Sequence, residues 1–140
     1  MPGRRFPALT PSIYYDDANA AIDWLADAFG FELLVKVPGD EGRVVHSELR
    51  LGDAWIMVAS PTPGGSRQGP RTLGGKTTMG LFVYVDDVDA HCERARAAGA
   101  TILREPADSF NGDRVYGCAD LQGHEWFFAT HVTDDYPEDA

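Results

Sequence analysis

SIYYDDANAAIDWLADAFGFELLVKVP (residues 12–38) decides the fold, because the chain uses the same pattern twice. LFVYVDDVDAHCERARAAGATILREP (81–106) repeats its order of features. Each copy opens with a short run of alternating apolar residues that closes on Asp-Asp, at Asp16-Asp17 and Asp86-Asp87. Such alternation predicts a strand. A helix follows, with Asp17 and Asp87 as N-caps, since a short carboxylate accepts the free amide hydrogens of a first turn. The helices are predicted to end at Gly30 and Gly99, where a left-handed residue costs least. Ala21, Leu25, Ala28 and Phe29 give the first helix one apolar face. FELLVKV and ATILRE then read as second strands.

The copies continue in register. RVVHSELRLGDAWIMVAS (43–60) reads as two strands around a Gly-Asp turn, and DRVYGCADLQGHEWFFATHV (113–132) as two strands around a longer turn. Trp55 and Trp126, 71 residues apart, are taken as equivalent. Each half is therefore β-α-β-β-β. The expected class is α+β: tandem modules forming a cupped mixed sheet around a cavity, with helices outside. The expected organisation is one domain over 1–140, with module one at 7–60 and module two at 79–132. SPTPGGSRQGPRTLGGKTT (60–78) contains paired glycines and supplies the linker, assigned to 61–78, a connector or a flap. Residues 133–140 form an acidic tail.

Composition removes several function classes. The chain has 22 acidic and 12 basic residues, a formal net charge of −10. Such a chain repels phosphate backbones and anionic lipid, so neither nucleic acid nor membrane is an expected partner. No stretch approaches the roughly 18 apolar residues of a membrane span. MPGRRFPALT has no apolar core like that of a secretory signal. Cys92 and Cys118 form no spaced pair and are read as reduced, so the expected location is the cytoplasm. Phosphate-binding and dinucleotide glycine motifs and the nucleophile elbow are missing.

The repeated strand-Asp-helix opening, the AFGFE helix end and the closing DLQGHEWFF resemble the vicinal oxygen chelate superfamily, also called the glyoxalase/bleomycin-resistance/dioxygenase family. The resemblance spans roughly residues 7–132. It implies two modules whose strands curve around a cavity, and a homodimer. It also implies where metal ligands would stand: seven residues before the helix-opening Asp, at Thr10 and Gly80, and four after the turn glycine, at Ile56 and Phe127. None of these is His, Asp, Glu or Cys. No metal and no cofactor is expected. His124 and Glu125, as strand neighbours, point to opposite faces and do not replace the missing ligands.

The strand VVHSELRLG alternates, with Ser47 and Leu49 on the face expected to meet the helix and His46, Glu48 and Arg50 on the other. His46 and Glu48 are candidates for catalysis or ligand contact. Arg114 and Tyr116 in DRVYG are candidate anchors for an anionic group, with Phe127 and Ile56 as apolar floor. His91 and His131 are read as surface residues. The expected function is a small-molecule-binding protein that sequesters an aromatic or anionic compound without metal. The alternative is a lyase, isomerase or dioxygenase of the same superfamily, using a relocated metal or His46 as general base.

Overall fold

The computed structural model describes residues 3–135; the last five residues of the acidic tail lie outside them. The first module contains β1 (Ser12–Tyr14), α1 (Ala18–Phe29), β2 (Glu32–Pro38), β3 (Val44–Leu51) and β4 (Ala54–Ala59). The second contains β5 (Gly80–Tyr84), α2 (Val88–Ala97), β6 (Thr101–Asp108), β7 (Asp113–Ala119) and β8 (Glu125–His131). Both β-α-β-β-β units are as the repeat predicts. The caps are too: Asp17 accepts from the Ala20 amide and Asp87 from the Ala90 amide. Gly30 is left-handed at φ 89°.

The strands form two four-stranded mixed sheets, ordered β1-β4-β3-β2 and β5-β8-β7-β6, with no closed barrel. In each sheet the first strand runs parallel to the last, and the other pairs are antiparallel. One face of each sheet lies under its helix; the other is called the open face below. Leu25, Ala28 and Phe29 of α1 share a core with Leu49, Ile56 and Val58. That core continues into Cys92, Tyr116, Cys118, Trp126 and Phe128 of the second module. The helices also meet directly, where Trp24 Nε1 donates to Ala98 O at 2.8 Å and Arg94 Nε to Asp27 O at 2.8 Å.

The seam between modules is fastened by the β7–β8 turn. Asp120 is buried, and its Oδ2 accepts from Tyr15 Oη at 2.6 Å and Trp126 Nε1 at 3.0 Å. Its Oδ1 accepts from the amides of Gln122 and His124. Burial and the adjacent carboxylate push the Tyr15 phenol far above its ordinary pKa, so it stays a donor. Gln122 reaches across to α1, accepting from the Asp17 amide and donating to Asp17 O. His124 Nε2 donates to Tyr14 O at 2.7 Å. Asp120, Gln122 and His124 therefore join the two modules. The linker lies on the same seam: Thr72 Oγ1 donates to Asp16, and a Cβ on Gly123 would stand 3.0 Å from Pro70.

Asp120→Ala leaves two side-chain donors and two amides without their acceptor. It is expected to lower unfolding free energy by about 3 kcal/mol or more, measured by urea denaturation. Leu121→Ala, at an exposed neighbour, should change it by less than about 0.5 kcal/mol.

Candidate functional site

The open face of the first sheet carries His46 and Glu48, as the alternation of β3 predicts. Ser47 and Leu49 are fully buried on the helix side. His46 Nε2 donates to Glu48 Oε2 at 2.7 Å, and Arg5 Nη2 lies 2.7 Å from Glu48 Oε1. The Glu48 side chain is only 6 % exposed and that of His46 37 % exposed. Glu48 faces Met57 and Arg50 faces Trp55 across the β3–β4 ladder.

Three expected site residues are not brought to this surface. Ile56 faces Leu49 and is buried in the core. Tyr116 is fully buried under α2, and its hydroxyl donates to His91 Nδ1 at 2.6 Å. Arg114 is on the same side, with Nε 2.9 Å from Asp89 of α2 and Nη1 3.3 Å from Asp108. The hydrogen bonds from the Arg114 guanidinium to Asp89 hold the Asp89 carboxyl below its usual range. Arg114 is spent on two carboxylates and offers no anion anchor on the open face.

The reason is the register of the repeat. Tyr14 faces Ala59 and Tyr84 faces Ala129, so the modules correspond at an offset of 70 residues. The two tryptophans, 71 apart, are not equivalent. Trp126 packs in the core with Phe29 and Phe31, whereas Trp55 meets Phe6 and Arg50. A slip of one residue exchanges the faces of a strand.

Of the expected residues in module two, Phe127 does reach the open face. It faces Phe82 on β5 and Gly117 on β7. A Cβ on either Gly80 or Gly117 would come within 3.0 Å of its ring. Glycine at both places lets the ring lie close to the sheet backbone. Phe82 is 52 % exposed and Tyr84 61 % exposed, and their rings meet edge to face at 5.5 Å. Trp55 of the first sheet and Phe82 of the second line one cavity of about 170 Å³ together with Pro7, Leu9 and Pro11. Beside the aromatics lies a polar group that the sequence reading missed. The buried carboxylate of Asp113 accepts from Tyr84 Oη at 2.8 Å and from His131 Nδ1 at 2.8 Å. Asp113 faces His131 across the β7–β8 ladder; counting outward from the turn was the available signal.

A second, larger cavity of about 320 Å³ lies between β1 and the linker. Arg67 projects into it, donating to Tyr14 Oη at 2.9 Å.

The positions that the superfamily resemblance assigns to metal do not fit one. Phe127 packs against Gly80, and Ile56 is in the core. Among the described residues, no three His, Cys, Asp or Glu side chains are grouped to hold an ion.

A family model described as the glyoxalase/bleomycin resistance protein/dioxygenase superfamily matches residues 8–128. The chain belongs to this superfamily. An uncharacterized protein of Mycobacterium bovis is 40% identical over 131 residues, which is 91% of this chain and 86% of that protein. TioX from Micromonospora sp. ML1 superposes with a TM-score of 0.72 at 35% identity, covering 93% of this chain and all (100%) of that one. TnmS3, an antibiotic binding protein from Streptomyces sp. CB03234, gives a TM-score of 0.65 at 23% identity, covering 94% of this chain and 99% of that one.

His91, expected at the surface, is half-buried and stacked on Phe29. Its Nε2 donates to Phe29 O at 2.9 Å while Nδ1 accepts from Tyr116, so both nitrogens are satisfied in the neutral ring. Burial lowers its pKa below the ordinary 6.5, outweighing the carbonyl contact. The unfolded chain then binds the proton more readily. This contribution to stability is present above pH 6.5 and is lost as pH falls through the lowered folded value. His131 has the opposite sign, because its carboxylate partners raise its pKa. The stability lost between pH 7.5 and 5 should therefore be smaller in His91→Gln than in the wild type, as measured by denaturant midpoints.

Proposed function

We propose that this is a small-molecule-binding protein that holds a planar aromatic compound on the open faces of its sheets, without the superfamily's usual metal. The observation that carries this is the exposed aromatic surface of Phe82 and Tyr84 beside Phe127, itself set close to the backbone by Gly80 and Gly117. A greasy surface bordered by a few polar anchors is the usual make-up of a small-molecule site. Here the polar groups are His46 with Glu48 on the first sheet and, on the second, His131 held by the buried Asp113. The donor-poor set Thr10, Ile56, Gly80 and Phe127 supports the metal-free reading. TnmS3 binds an antibiotic, and its likeness to this chain speaks for the fold alone. An anionic ligand is not favoured on this surface, because Arg114 faces α2.

A second reading has one observation of its own. Glu48 orients His46 at 2.7 Å, and the His46 side chain remains 37 % exposed, as a general base held by a carboxylate would be. His46→Ala separates the two: a binder changes affinity modestly, whereas a base-catalysed enzyme loses turnover.

We also propose a homodimer. Apart from the Phe82 and Tyr84 surface assigned to the ligand, Leu103 and Phe110 are large apolar residues left more than half exposed in the single chain, and a second copy would cover such residues. Sedimentation at micromolar concentration should give the mass of two chains; the mass of one would refute the dimer.

The binding reading is tested with Nile red, a neutral planar aromatic dye, by fluorescence titration. Protein dialysed against a chelator should bind it as tightly as untreated protein. Phe127→Ala and Phe82→Ala should each weaken binding by roughly 1–2 kcal/mol. Equal affinity in wild type and both variants would sink the proposal.

A further inference from the structure

The N-terminal segment before β1 does not belong to either sheet, yet two consecutive side chains of it are seated on the open face of the first. Arg5 sets its guanidinium 2.7 Å from Glu48 Oε1. Phe6 sets its ring edge-on to Trp55, with centroids 5.5 Å apart and planes at 82°. A cation and an aromatic ring thus meet a buried carboxylate and an indole. Glu48 completes its other oxygen with His46, so the carboxylate is oriented whether or not Arg5 is there.

The arm is lightly held. Residues 3–5 and 7–9 are exposed, and Leu9 is 84 % exposed. Among the described residues, residues 3–10 make no backbone–backbone hydrogen bond; the first is at Pro11, whose carbonyl accepts from the Met57 amide. The Arg5 side chain is 55 % exposed, and an ion pair with one partner so wet contributes little. Segments of this kind open at low cost. Pro7, Leu9 and Pro11 continue the arm along the cavity shared by Trp55 and Phe82. The arm therefore lies over part of the aromatic surface that the binding reading uses.

We infer that Arg5 and Phe6 are internal occupants of a ligand subsite formed by Glu48, His46 and Trp55, and that this subsite takes a ligand carrying an ammonium or guanidinium group beside an aromatic ring. The inference rests on the binding reading of the open face and adds the charge of the ligand. A neutral ring would leave the desolvated Glu48 carboxylate without its cation. The net charge of −10 favours the approach of a cation over long range. The arm must leave for the ligand to enter, so it weakens apparent affinity by the fraction of time that it is seated.

The test uses the full chain and two aromatic probes, cationic proflavine and anionic anilinonaphthalenesulfonate, each followed by fluorescence titration. Arg5→Ala/Phe6→Ala should raise proflavine affinity at least fivefold. Arg4→Ala, which removes the same charge from the neighbouring residue, should change it less than twofold. Adding Glu48→Gln to the double variant should lower proflavine affinity at least tenfold and should not lower anilinonaphthalenesulfonate affinity. The inference is overturned if the double variant binds proflavine no better than Arg4→Ala does, or if Glu48→Gln weakens both probes alike. Should Glu48→Gln fail to fold, the comparison of Arg5→Ala/Phe6→Ala with Arg4→Ala decides alone. If Phe82→Ala and Phe127→Ala still weaken binding while Glu48 has no effect, the aromatic-face reading stands and only the cation subsite falls.

Discussion

The carboxylate of Asp120 accepts four hydrogen bonds, two from its own turn and one each from Tyr15 and Trp126. Much of the rest depends on it. The two amide bonds fix the turn that launches β8. The Trp126 bond sets which face of β8 enters the core, and hence that Phe127 faces outward. The Tyr15 bond ties this turn to the end of β1 in the other module. A buried carboxylate with so many donors is stable only while all of them are in place. The clasp therefore couples the folding of β8 to the docking of the modules, and the aromatic surface inherits its geometry from that coupling.

The fold was legible in the sequence because its signals are local and occur twice. Asp17 and Asp87 cap by the same chemistry, and alternation in β3 separated Ser47 and Leu49 from His46 and Glu48 correctly. The second half of the site was not legible, for a physical reason. Both faces of β7 are largely buried, Asp113, Val115 and Gly117 on one and Tyr116 and Cys118 on the other. Polarity along that strand consequently gives no sign of which face is open. Arg114 and Tyr116 look like cavity residues only until α2 is seen to present Asp89 and His91 to them. The better guides were Gly80 and Gly117, small residues placed where a neighbouring ring must lie close to the sheet.

Superfamily membership fixes the architecture and leaves the chemistry to individual side chains. Where the resemblance would place metal ligands, this chain has a hydroxyl, a glycine and two apolar residues. What remains on the open faces is aromatic surface with acids at its margins. His46 and Glu48 on one sheet, and Asp113 with His131 on the other, are oriented polar pairs beside rings. This arrangement suits selective holding of a flat molecule better than activation of a metal-bound oxygen.

The central claim is that the ligand lies on the Phe82–Phe127 aromatic surface of the second sheet and not under the helices or in the linker cavity. The most direct measurement is a crystal structure of the protein with a bound planar aromatic probe. The account predicts density in van der Waals contact with the rings of Phe82 and Phe127. Density beside Tyr14 and Arg67 in the linker cavity, or between α2 and β7, with the Phe82–Phe127 surface bare, would contradict it.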